Sequence, residues 1–394
     1  MGALCAFLLV ALPVQTPGDP GPHAVGWRDV SFSAPEAWSN SVKGIVYYPA
    51  TAEGPDQPAD VTSGPYPLTS FVHGYFATAG FHSEICKHIA SWGFTVAAMD
   101  TFTGIWPYVY QGAADDALAL AHWIEDKSNT PGHWAFGLVS DADWSCFTHS
   151  MGGPASFLMA DAEPRITALA PCQPWWASGT IKGYEHSVLV VAGSEDLVAP
   201  PVLHAEPLYA NLGTAARRAW ALVLGAGHQG TLDFPATLSS LDFAEQQRLH
   251  RHLVGAFLRA EIKGEENLWR DVLGEGLEGE PVERESDGPD PVLWAATSAV
   301  QSSAAVLGLA TMPADTALLL VSAAPADLPT PWGVLGADPS LGIILGPTIQ
   351  GAPGFTEVWA PLPPGLSGLT LWIQGFALGT DHASLSRTAA YILP

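Results

Sequence analysis

Between residues 25 and 262 short apolar runs alternate with amphipathic stretches, and this alternation constrains the fold more than any other feature of the 394-residue chain. The runs are 44–48, 68–72, 95–99, 144–148, 166–170, 187–192 and 219–224. Each is short and largely apolar, as strands covered on both faces should be. Helical spacing appears at 79–91 and 113–126, and again at 241–262, where Phe243, Leu249, Leu253, Phe257 and Leu258 share one stripe. The pattern predicts an α/β fold with a mostly parallel central sheet flanked by helices.

On either side of this region the composition changes. Residues 3–14 form an apolar run followed by a polar, Pro- and Gly-rich stretch. That length is typical of a signal-peptide core and too short for a bilayer span, so residues 1–22 read as a secretory leader and the protein as secreted, extracellular or periplasmic. Residues 23–262 form the expected catalytic domain. Residues 261–290 hold 11 acids and 3 bases, which makes 263–290 an expected acidic linker, solvated and held extended by like charge, with one helical turn near 267–273. From 291 to 394 there is no Lys and a single Arg, Arg387, while turn signals recur between strand-like segments at 317–321, 342–345, 356–360 and 369–376. A small all-β, sandwich-like module is expected there.

Charge and cysteine content exclude several classes of function. With 39 acidic side chains against 15 basic ones the chain carries a formal charge of −24, which argues against nucleic-acid binding and against docking on anionic membranes. Beyond Cys5 there are Cys86, Cys146 and Cys172, which allow at most one intramolecular disulfide and match no zinc-ligand spacing. Buried thiols are expected. No metal, nucleotide or redox cofactor has a supporting motif, and none is expected.

The stretch from Trp144 to Gly153 reads as a strand, then a turn of small residues centred on Ser150, then a helix. A serine at such an elbow projects its hydroxyl from the carboxyl edge of the sheet, and Gly152 lets the helix start close to the strand. Thr148, two residues before the serine, is β-branched and crowds the turn. A serine nucleophile needs a base, and the base needs a carboxylate to orient it. Asp196 follows the strand at 187–192 and His228 follows the strand at 219–224, so the three residue types fall in the order Ser, Asp, His at the ends of successive predicted strands. Glu195 is the rival acid. Two backbone N–H groups are needed for the oxyanion, and Met151 and Tyr75 are the expected donors. His73 is expected to order the Tyr75 loop, and His149 to pack beside the nucleophile. Ser187 follows Pro171 by only 16 residues, which leaves no room for a lid and implies an open cleft for bulky or polymeric substrates. Trp175 and Trp176 lie in that connection, and with Tyr75 either could clamp an aromatic or acyl group.

At these residues the chain resembles the α/β-hydrolase branch that contains bacterial cutinases and poly(ethylene terephthalate) hydrolases. The likeness covers roughly residues 25–262 and rests on His73-Gly-Tyr75, Ser91 to Thr101, His149-Ser-Met-Gly-Gly153, and above all Asp196-Leu-Val-Ala-Pro200 with His204-Ala-Glu-Pro-Leu-Tyr209. It implies an α/β-hydrolase fold without a lid and a secreted serine carboxylic-ester hydrolase. Tyr75 and Met151 are then the oxyanion donors, and Trp175 or Trp176 takes the clamp position. The chain departs from the family at Thr148, in the inserted Cys172-Gln-Pro, and in having no cysteine after Cys172 for a C-terminal disulfide. On this reading Ser150 attacks the ester carbonyl, His228 moves the proton and Asp196 orients His228, with activity rising through about pH 6 to 7 and neutral esters preferred. The alternatives are an esterase or lipase of small soluble esters, an acyltransferase with the same triad, and a silent scaffold with a surface- or polymer-binding β module.

Overall fold

The computed structural model describes residues 16–101, 109–297, 304–350, 354–361, 368–380 and 382–393. The apolar run at 3–14 lies outside the described residues. Of the expected leader, residues 16–22 pack on the body: His88 Nε2 donates to Pro17 O at 2.8 Å, Trp92 Nε1 to Asp19 O at 3.1 Å, and Gly21 N to Ser91 Oγ at 2.7 Å.

The body starts with β1 (Ala24–Ser33), β2 (Ser41–Ala50), β3 (Gly54–Pro55) and β4 (Leu68–Val72). Next come α1 (Ser83–Ser91), β5 (Thr95–Met99), α2 (Tyr110–Ser128), β6 (Trp144–His149) and α3 (Gly152–Ala162). It continues through β7 (Ile166–Cys172), β8 (Ser187–Gly193), α4 (Ala205–Ala210), β9 (Arg217–Val223), α5 (Phe243–Ile262) and β10 (Val282–Ser286). One ten-stranded sheet results, ordered β10-β9-β8-β7-β6-β4-β5-β2-β1-β3 and parallel from β5 to β9. β4, β5, β6 and β8 are buried along their whole length, which is why they read as runs that are largely apolar rather than alternating. Helices α2 and α3 cover one face through Leu120, Ile124 and Phe157, and α1 and α5 cover the other through Ile89, Leu253 and Phe257. The architecture is that of an α/β-hydrolase.

Two elements differ from the expectation. β1 is a ten-residue strand that the apolar-run pattern misses, because its outer half alternates with solvent and carries Arg28 and Asp29. The stretch 263–290 is not a solvated connector. Trp269, Val272, Leu273 and Leu277 are buried in the same core as α5, and β10 pairs antiparallel with β9. Apolar residues three and four apart fold the segment onto the body, while its acids find cations: Arg259 holds Glu265, and Arg270 holds Glu275 at 2.8 Å.

The C-terminal module contains β11 (Val292–Thr297), β12 (Ala304–Ala310), β13 (Thr316–Ser322), β14 (Pro325–Thr330) and β15 (Gly333–Ala337). The remaining strands are β16 (Gly342–Ile349), β17 (Phe355–Pro361), β18 (Thr370–Leu378), β19 (Ala383–Leu385) and β20 (Ala389–Ile392). The sheets β11-β12-β17 and β16-β13-β18-β19, with β20 beside β18, meet across a core of Leu293, Leu307, Leu309, Leu319, Ile373 and Tyr391. The module is β-rich, as expected.

Candidate active site

Order along the sheet places the cleft. β5 lies on one side of β4 and β6 on the other, so the chain changes direction between β4 and β6, and the loops after these two strands open a crevice at their carboxyl ends. One loop carries Gly74 and Tyr75 and the other carries Ser150.

Ser150 has φ +53° at the turn from β6 into α3. This left-handed backbone is strained for a residue with a side chain, by roughly 1–3 kcal/mol, and its neighbours hold it there. Ser150 N donates to Cys172 O at 3.1 Å, and Ser150 O accepts from Gly153 N at 3.0 Å and Trp175 N at 2.9 Å. A Cβ on Gly152 would lie 2.1 Å from Val72 O, so α3 can start against β4 only with glycine at that position. A Cβ on Gly74 would lie 2.7 Å from Ser150 Cβ, which explains the second glycine. Thr148 fits within the sheet, fully buried.

Asp196 and His228 meet across the ends of β8 and β9. His228 Nδ1 donates to Asp196 Oδ2 at 2.6 Å, and Asp196 Oδ1 accepts from Val198 N at 2.9 Å and Ala199 N at 2.8 Å. Three donors therefore fix one carboxylate, itself 2% exposed. Glu195 turns away and accepts from Ser240 N and Oγ, both at 2.7 Å. His73 bridges Gly74 O and Thr101 O at 2.7 and 2.9 Å, and His149 Nε2 donates to His228 O at 3.1 Å. Burial pushes His73 below the ordinary histidine range, pushes His149 well below it, and pushes His82 down to about 3. His149, whose ring packs on His228 with centroids 4.6 Å apart, thus adds no positive charge there at neutral pH.

Ser150, His228, Met151, Tyr75 and Trp175 line a single cleft of about 440 Å³. Trp176 is not part of its wall. The Trp175 ring packs on His204, centroids 4.0 Å apart, and His204 Nδ1 accepts from Trp176 N at 3.1 Å, so the pair of tryptophans is divided between cleft and support. The sequence reading missed Phe76, Phe81, Val198, Leu232 and Phe234, which complete the wall. It also missed Gln173, Gln229, Gln246 and His250, which hold the His228 loop from behind. No local pattern distinguishes these residues, because each acts through partners distant in sequence. Cys86, Cys146 and Cys172 are free and buried. Among the described residues no group of three or more His, Cys, Asp or Glu could hold a metal ion, and no helix is long and apolar enough to cross a membrane.

Known proteins with similar sequences align with this body. Cutinase 1 of Thermobifida cellulosilytica is 26% identical over 213 residues, covering 53% of this chain and 72% of that protein. Bis(hydroxyethyl) terephthalate hydrolase of Streptomyces coelicolor is 26% identical over 208 residues, covering 53% of this chain and 61% of that protein. Chlorophyllase-1 of Arabidopsis thaliana is 28% identical over 111 residues, 27% of this chain and 33% of that protein. The β module lies beyond the residues matched by the family model described as PETase, PET hydrolase-like, which run from 18 to 243. Those residues make up more than half of the chain and contain the whole cleft, and by them the chain belongs to the PET hydrolase-like family.

Proposed function

We propose that the protein is a secreted serine carboxylic-ester hydrolase whose open cleft accepts bulky or polymeric esters. The observation that carries this reading is the 2.6 Å contact from His228 Nδ1 to Asp196, in one cleft with a serine held at φ +53°. Ser150 Oγ attacks the ester carbonyl and His228 Nε2 takes its proton. The N–H groups of Tyr75 and Met151 receive the developing oxyanion. His228 returns the proton to the leaving alcohol, and water then releases the acid from the acyl-enzyme by the same route. Trp175 offers a flat wall for the acyl group. Family membership and the cutinase and terephthalate-ester hydrolase relatives support the ester chemistry. The β module is assigned no part in it.

Hydrolysis of a p-nitrophenyl ester chain-length series, alongside a solid polyester film, tests the proposal. Ser150→Ala is expected to abolish turnover, and Asp196→Asn to lower kcat by about 10⁴-fold. Turnover by Ser150→Ala would overturn the mechanism, and an untouched film beside active soluble-ester turnover would make this an esterase of small esters.

A further inference from the structure

We infer that Phe81 and Phe234 form a subsite for the alcohol half of the ester, shaped for an apolar group of ring size. Phe81 lies in the 3₁₀ turn Ala79–His82 and Phe234 in the segment after His228, yet their rings meet edge to face with centroids 5.1 Å apart. Both residues are 40% exposed and both line the cleft that holds Ser150. Packing alone does not account for a pair left so open. Its backing, in contrast, is rigid. Asp233 N donates to Phe81 O at 2.8 Å, and the Asp233 carboxylate accepts from Ser83 N at 2.8 Å, Ser83 Oγ at 2.7 Å and Glu84 N at 3.1 Å. His82 Nδ1 donates to Thr231 O at 3.0 Å. Two segments about 150 residues apart are stitched together immediately behind the two rings.

The side of the cleft follows from the proposed chemistry, on which this inference rests. His228 delivers its proton to the leaving oxygen, so the alcohol departs on the His228 side. Leu232 and Phe234 lie on the segment that continues from His228, whereas Trp175 comes from the loop after β7 and stands against His204. The two aromatic walls therefore serve the two halves of the ester. No Asp, Glu, Lys or Arg lines the cleft among the described residues, so the alcohol group is uncharged. An edge-to-face pair leaves a ring face open to a third ring at an ordinary aromatic spacing.

Two ester series separate the halves: butanoates of methanol, butanol and benzyl alcohol, followed by pH-stat, and p-nitrophenyl esters from acetate to octanoate. Wild type is expected to favour the benzyl over the methyl ester in kcat/KM. Phe81→Ala and Phe234→Ala are each expected to lower that ratio about tenfold, and Phe234→Trp to retain it. Trp175→Ala is expected to change the acyl-chain ratios instead. A wild type indifferent to the alcohol overturns the subsite, and so do Phe variants that alter acyl-chain preference instead. In both cases an inactive Ser150→Ala leaves the serine-hydrolase reading standing, whereas an active one removes that reading.

Discussion

Gln173 is the residue on which several parts of the site converge. It has φ +39°, is 1% exposed, and its Nε2 donates to His250 Nε2 at 2.6 Å while lying 3.4 Å from Gly227 O. His250 Nδ1 donates to Gln246 O at 2.7 Å, which leaves Nε2 as the acceptor that Gln173 satisfies. Gln246 Oε1 in turn accepts from Gly227 N at 3.1 Å. The residue before His228 is thus held through both its carbonyl and its amide. Gln173→Ala would leave a buried acceptor unpartnered, at a cost of about 1–3 kcal/mol. The expected result is a melting temperature lower by about 2–4 °C for each kcal/mol, read by calorimetry, and an unchanged melting temperature would contradict this account.

At the scale of elements, the segment from α5 to β11 ties the β module to the body. Glu357 on β17 accepts from Glu275 N at 2.9 Å and from Trp294 Nε1 at 3.0 Å, and Arg284 donates to Gly274 O. Arg387, the one cation of residues 291–394, reaches Glu266 at 2.9 Å. Burial, opposed by Arg270 and reinforced by the neighbouring Glu357 carboxylate, pushes the Glu275 carboxyl up to about 7. A raised carboxyl binds its proton more tightly in the folded state, so its contribution to stability is complete below about pH 4.5 and is lost as pH rises through about 7. Calorimetry between pH 5 and 8 is expected to show the module melting lower at pH 8, and Glu275→Gln to flatten that dependence. Equal slopes in the two proteins would assign the effect elsewhere. The same elements mark a limit of pattern reading. β4 and β5 are legible to the residue because both their faces are covered, so apolar residues fall on both faces of each strand. β10, Val-Glu-Arg-Glu-Ser, looks like a charged connector, because an edge strand keeps its charges on the solvent side and only the pairing with β9 reveals it.

Across the whole molecule, pH acts with the opposite sign. Burial pushes His88 and His250 down to about 4 and His82 down to about 3, and these side chains sit in or against the body. A histidine lowered on folding contributes stability that is complete above about pH 6.5 and is lost as pH falls through its folded value. Denaturant midpoints of the catalytic body are therefore expected to rise from pH 4 to pH 6.5, followed by intrinsic tryptophan fluorescence. A flat or falling profile would mean that these histidines are charged inside the fold. What the sequence by itself determined is the order of the covered strands β2 and β4–β9 with helices α1, α2, α3 and α5, the serine elbow, and the acid and histidine at later strand ends, because each is a local pattern of apolar spacing and turn chemistry. Only the tertiary structure decided that the loops after β4 and β6 share a crevice, that Trp175 rather than Trp176 lines it, that Phe81 meets Phe234, and that 263–290 is folded. Those outcomes depend on contacts between residues far apart in the chain, and periodicity records that a face is apolar without recording which other face will cover it.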